Sequence, residues 1–65
     1  MSLAKVIEIL AEGTTIEDAI EHGVQEATKT VREIKHVYVE GIQAIVEEAE
    51  VVKYRLNLKI TFVVE

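Results

Sequence analysis

The end of the chain constrains the fold most. Tyr54, Leu56, Leu58, Ile60, Phe62 and Val64 alternate with Lys53, Arg55, Asn57, Lys59, Thr61 and Val63. Successive side chains of a strand point to opposite faces, so this period of two predicts a strand with one apolar face and one largely polar face. The polar alternates are too regular to be accidental on a sheet covered from one side, and they should face solvent or a neighbouring subunit.

The stretch before it has the same period. Val37 and Val39 alternate with His36, Tyr38 and Glu40 up to Gly41, where the phase slips to Ile42, Ala44 and Val46. A glycine at a phase slip predicts a β-bulge. Glu47-Glu48-Ala49-Glu50 then forms an acidic turn, which joins the two long strands as a hairpin. Near the start, Lys5 to Leu10 mixes β-branched residues with charge, which fits a short strand ended by Glu12-Gly13.

Between these strands the period lengthens. Ile16, Ala19, Ile20, Val24, Ala27, Val31 and Ile34 recur at steps of three and four, an apolar stripe that predicts one helix of about five turns reaching Lys35. Thr14 with Glu17, or Thr15 with Asp18, sets a hydroxyl three residues before a carboxylate, the spacing of a capping box. Acid at that start and Lys29, Arg32 and Lys35 towards the expected end both suit the helix macrodipole.

The order is β-α-β-β: an α+β chain with one helix covering one face of a sheet. A 65-residue chain buries only about 60% of the surface its unfolded chain exposes, and this one has no Cys to staple it. With 49% hydrophobic residues it carries more apolar material than one such core can hide, which predicts an oligomer. Seven Lys plus Arg against twelve Asp plus Glu give a formal charge of −5, which argues against nucleic-acid partners. No run approaches the ~18 apolar residues of a membrane span, and Met1-Ser2-Leu3-Ala4 does not open a signal peptide. A cytoplasmic location without membrane partners is expected.

Enzyme chemistry finds little support. There is no Cys, the single Ser is Ser2, and neither a glycine-rich phosphate loop nor a His-Glu metal helix appears. Asp18, His22 and Glu26, four apart on one helix face, could form a mixed metal site or simply a solvated face. Glu47, Glu48 and Glu50 gather hard oxygens that calcium accepts, most of all if symmetry brings several copies together.

Taken in order, Lys5-Val6-Ile7-Glu8-Ile9, Glu17-Asp18-Ala19-Ile20, Thr30-Val31 and Tyr54-Arg55-Leu56-Asn57-Leu58-Lys59-Ile60-Thr61-Phe62 resemble the dodecins over nearly the whole chain. The resemblance implies a single dodecin-like domain over residues 1–65. It also implies a three-stranded antiparallel sheet wrapped around one helix, with twelve copies forming a hollow shell, a homododecamer. Flavin-binding members stack a Trp from the start of the second strand on the isoalloxazine ring and hydrogen-bond its edge with a Gln of the third. This sequence carries His36 and Arg55 at those positions.

Imidazole offers less stacking area than indole, whereas the planar guanidinium of Arg55 can both stack and donate. The implied cofactor is a flavin, riboflavin or FMN, held by His36 and Arg55. A branch of the family without the Trp and with Tyr-Arg on the third strand binds calcium, and Tyr54-Arg55 makes this sequence resemble that branch more closely. The resemblance therefore implies a homo-oligomeric binding or storage protein for a flavin-type ligand at subunit interfaces; the alternative is a flavin-free shell with a structural or calcium-binding role. In a plainly structural role His36 is a half-exposed strand residue, and Arg55 pairs with an acid such as Glu40 or Glu48.

Overall fold

The computed structural model describes residues 3–64; Met1, Ser2 and Glu65 fall outside the described residues. Strand β1 spans Leu3–Gly13, helix α1 Ile16–Ala27, strand β2 Ile34–Glu47 and strand β3 Glu50–Val64. The three strands form one antiparallel sheet in the order β1-β3-β2, so the most strictly alternating strand is central. No helix among the described residues is long and apolar enough to cross a membrane.

Alternation decides what each face holds. On the helix side, Ala11 lies opposite Leu56, Ile9 opposite Leu58 and Ile7 opposite Ile60. From the other edge, Val37 meets Ile60, Val39 meets Leu58 and Ile42 meets Leu56. Leu56, Leu58 and Ile60 are the large side chains buried completely, and Ala11, Ala19, Ala27 and Phe62 complete the core. Small residues on the helix let it lie close to the sheet: a Cβ added to Gly23 would meet Leu58 Cδ1 at 2.5 Å, Ile9 Cδ1 at 3.2 Å and Ala11 Cβ at 3.3 Å.

The helix begins where the capping pattern allows and stops earlier than its apolar stripe suggests. Of the two threonine registers the second forms: Thr15 is the N-cap, its hydroxyl oxygen accepts from the Asp18 backbone N–H at 3.0 Å, and the Thr14 hydroxyl donates to Asp18 Oδ2 at 2.7 Å. The expected extension to Lys35 does not occur. After Ala27 the Thr28 hydroxyl donates to the Gln25 carbonyl and that of Thr30 to the Ala27 carbonyl, a local competition that β-branched threonines win readily. Glu33, at φ 54°, then turns the chain into β2.

Val31 and Ile34 still pack against the core, from the connecting segment and from the start of β2. The stripe reported burial correctly but not helical backbone. Lys29, Arg32 and Lys35 consequently do not cap the helix, whose last turn holds no basic residue.

Strand β1 runs beyond the expected Lys5 to Leu10 because β3 offers a partner along its whole length, from Leu3 opposite Val64 to Gly13 opposite Tyr54. The bulge expected at Gly41 is present, with Glu40 as the additional residue between the Val39 and Gly41 pairings. The acidic turn is a two-residue hairpin loop: Glu48 and Ala49 have φ of 52° and 66°, the paired left-handed conformation that matches strand twist but usually selects Asn and Gly.

The two helix-side and strand glycines respond to different constraints. Gly23→Ala should gain about 1 kcal/mol of helix propensity and lose about 1–3 kcal/mol to overpacking, a net loss of about 1 kcal/mol. Gly41 has open space where a Cβ would stand and no positive φ, so Gly41→Ala should be neutral or stabilising by up to about 1 kcal/mol. Equilibrium unfolding at one fixed protomer concentration checks both; a Gly23→Ala variant more stable than the parent would mean the helix stands further from the sheet.

Candidate functional site

The open face of the sheet, opposite the helix, collects the chemistry. Reading across it by register, Glu12 lies opposite Arg55 and Arg55 opposite Gln43; Glu8 lies opposite Lys59 and Lys59 opposite Tyr38; His36 lies opposite Thr61. His36 and Arg55 thus share a face. Thr61 is six steps along β3 from Arg55, however, which places the two side chains' strand positions about 20 Å apart. One protomer does not bring them together around a single ring.

What it brings together is a clamp on one carboxylate. Arg55 donates from Nε to Glu12 Oε2 at 2.7 Å, and Lys53 donates from Nζ to Glu12 Oε1 at 3.0 Å. The expected partners of Arg55, Glu40 and Glu48, are engaged elsewhere: Glu40 is 3.0 Å from Lys59 Nζ, and Glu48 sits in the hairpin loop. Cross-strand neighbours across an antiparallel pair are the groups that meet, and β1, once extended through Glu12, supplies the neighbour.

The clamp sets the electrostatics. Hydrogen bonds from Arg55 and then Lys53, with their positive charges, hold the Glu12 carboxyl below the ordinary glutamate range. The hydrogen bond to Glu40, followed by the charges of Glu40 and Glu8, holds Lys59 above the ordinary lysine range. Between these two pairs, Glu8, Leu10, Glu40 and Asn57 line a shallow hollow of about 330 Å³. The face around it is greasy as well as charged: Val6, Leu10 and Tyr38 are all more than half exposed.

The other candidate residues serve local structure. Asp18 is occupied in the helix cap, and His22 donates from Nδ1 to the Glu12 carbonyl at 3.0 Å, tying the helix to the edge of β1. Glu26 pairs with Lys29 at 2.8 Å. Among the described residues no three His, Asp or Glu side chains converge as a metal site, so neither Asp18, His22 and Glu26 nor Glu47, Glu48 and Glu50 form one within a protomer.

Glu12 is the residue that sequence reasoning missed. The signal was available: Glu8 and Glu12 are four apart on β1, as are Arg55 and Lys59 on β3, so antiparallel pairing matches acid to base twice.

Because its folded pKa lies below the unfolded one, Glu12 contributes stability that is present above the unfolded pKa and is lost as pH falls through the folded pKa. Carboxyl titration followed by NMR should therefore give Glu12 a midpoint below that of an ordinary glutamate. Arg55→Ala should raise it, and Lys53→Ala should raise it less; an unchanged midpoint in Arg55→Ala would mean that the clamp does not form in solution.

A family model described as Dodecin matches residues 3–65. An arginine-to-alanine variant of the Thermus thermophilus dodecin superposes with a TM-score of 0.92 at 27% identity, covering 100% of this chain and 98% of that one. The dodecin from Streptomyces coelicolor gives 0.91 at 22% identity, covering 98% of this chain and 93% of that one. The dodecin from Streptomyces davaonensis gives 0.90 at 15% identity over 98% and 96%. At these lower identities the two Streptomyces structures speak for the fold alone. None of the curated proteins matches this chain. Matched by the family model from its third residue to its last, and sharing the strand-helix-strand-strand fold of solved members, this chain belongs to the dodecin family.

Proposed function

We propose that the chain, as one domain over residues 1–65, is the subunit of a twelve-copy cytoplasmic shell that sequesters a flavin-type planar ligand, riboflavin or FMN, in the contacts between copies. It acts as a binding protein and not as an enzyme. The observation that carries this reading is the open sheet face, which combines exposed apolar side chains with a donor-rich arginine. Leu10 and Tyr38 offer flat or aliphatic surface to a ring, and Arg55 offers hydrogen bonds to its carbonyl edge.

Since His36 and Arg55 lie about 20 Å apart on one protomer, the reading has His36 of one copy and Arg55 of another approach the same ligand. Among the described residues nine large hydrophobic side chains are exposed, Leu3, Ile42, Val46 and Val51 among them, and contacts between copies would cover them.

A second reading is supported by Glu47, Glu48 and Glu50, all exposed at the tip of the hairpin. Several tips meeting in a shell would supply the hard oxygens that calcium takes, with no flavin involved.

Titration with riboflavin, followed by flavin fluorescence, and with calcium, followed by melting temperature, separates the two. The flavin reading predicts quenching that Arg55→Ala abolishes at the riboflavin concentration that saturates the parent, with weaker binding left at higher concentration, and that His36→Ala weakens several-fold. Absent quenching together with a calcium-dependent rise in melting temperature favours the second reading, because a ligand that binds only the folded state stabilises it.

A further inference from the structure

We propose that Glu12 is a positioning residue that aims Arg55 at the ligand, holding the guanidinium by its Nε so that its terminal nitrogens are free to donate. The proposal deepens the flavin reading above and rests on it. Its basis is the choice of atoms. A guanidinium has five N–H donors in a rigid plane, and among the described residues Arg55 commits one, Nε–H to Glu12 Oε2 at 2.7 Å. The Nη1 and Nη2 groups, with four N–H donors, remain. The Arg55 side chain is 39% exposed, so a ligand lying on the open face can reach them.

The carboxylate that holds the arginine is itself held. Its second oxygen accepts from Lys53 at 3.0 Å, and the backbone that carries it is tied to the helix through His22 Nδ1–H donating to the Glu12 carbonyl. Holding the acid from two sides restricts where the guanidinium can lie, whereas an unsupported arginine on a sheet surface would spread over many rotamers. Pre-ordering removes part of the entropy that binding would otherwise cost. The lowered titration of Glu12 keeps the carboxylate charged, and the clamp closed, further into acid than an ordinary glutamate would stay.

The arrangement also narrows the ligand chemistry. An amide side chain offers one donor and one acceptor, suited to a ring edge on which carbonyl and N–H alternate. The free end of the guanidinium offers two parallel donors and no acceptor, suited to an edge with two neighbouring acceptors, such as a carbonyl oxygen beside an unprotonated ring nitrogen. The isoalloxazine system has such pairs.

The test is a double-mutant cycle on riboflavin affinity with Glu12→Ala, Arg55→Ala and the double variant, assembly of each being checked by size-exclusion chromatography. Glu12→Ala should weaken binding by about five- to tenfold. In the Arg55→Ala background it should weaken binding no further, since a residue that acts through another contributes nothing once the other is gone. Glu12→Gln, which can still accept from Nε, should recover part of the loss, and it replaces Glu12→Ala in the cycle if the alanine variant does not assemble.

Equal losses in both backgrounds, or no loss at all, overturn the proposal while the flavin reading stands. A parent protein that fails to quench riboflavin, or an Arg55→Ala variant that binds as well as the parent, removes the flavin reading and with it this proposal.

Discussion

The structure turns on a mismatch of lengths. Strand β3 has 15 residues and spans about 50 Å, in keeping with a longest molecular dimension of 52 Å, whereas the 12-residue helix spans about 18 Å. The helix lies on β1 and β3 and barely touches β2. It can therefore shield the middle of the helix side and no more. Leu56, Leu58 and Ile60, under the helix, are fully buried; Ile42, Val46 and Val52, towards the hairpin loop, stay exposed. A hairpin this long with so short a cover leaves apolar side chains that an isolated chain in water cannot hide.

The same constraint shapes the open face. Its middle combines charge pairs that neighbouring strands satisfy internally, Glu12 with Arg55 and Lys53, and Glu40 with Lys59. Exposed pairs of this kind contribute little to stability, so their main effect is to order side chains. Beside them Val6, Leu10 and Tyr38 remain uncovered. A surface that is ordered, part apolar and part donor-rich suits a planar ring with carbonyls along its edge, and on the proposed reading the cover comes from another copy together with the ligand.

Much of this was legible in the sequence wherever one rule acted alone. The alternation from Tyr54 to Val64 identified the last strand and its buried face because no competing signal interrupts it, and the slip at Gly41 located the bulge; that this strand is central follows only from the pairing. The helix start was legible as a choice between two threonines. Its end was not: Val31 and Ile34 continue the helical spacing, yet the threonine hydroxyls and the left-handed Glu33 redirect the backbone while those two residues still reach the core.

The site was legible in part. His36 and Arg55 come from the resemblance to dodecins and lie on the expected strands. Glu12 is hidden in the sequence because the large apolar residues of β1 stop at Leu10; strand length is set by the partner strand, and the partnering Arg55 is 43 residues distant from Glu12 along the chain.

The protomer's need for other copies is addressed directly by sedimentation velocity over a dilution series, with circular dichroism on the same samples. The prediction is a single large assembly that persists on dilution and, where it finally dissociates, loses secondary structure with it. A folded species of 7.3 kDa in dilute buffer would contradict the account, since the exposed hairpin would then be stable in water without any partner.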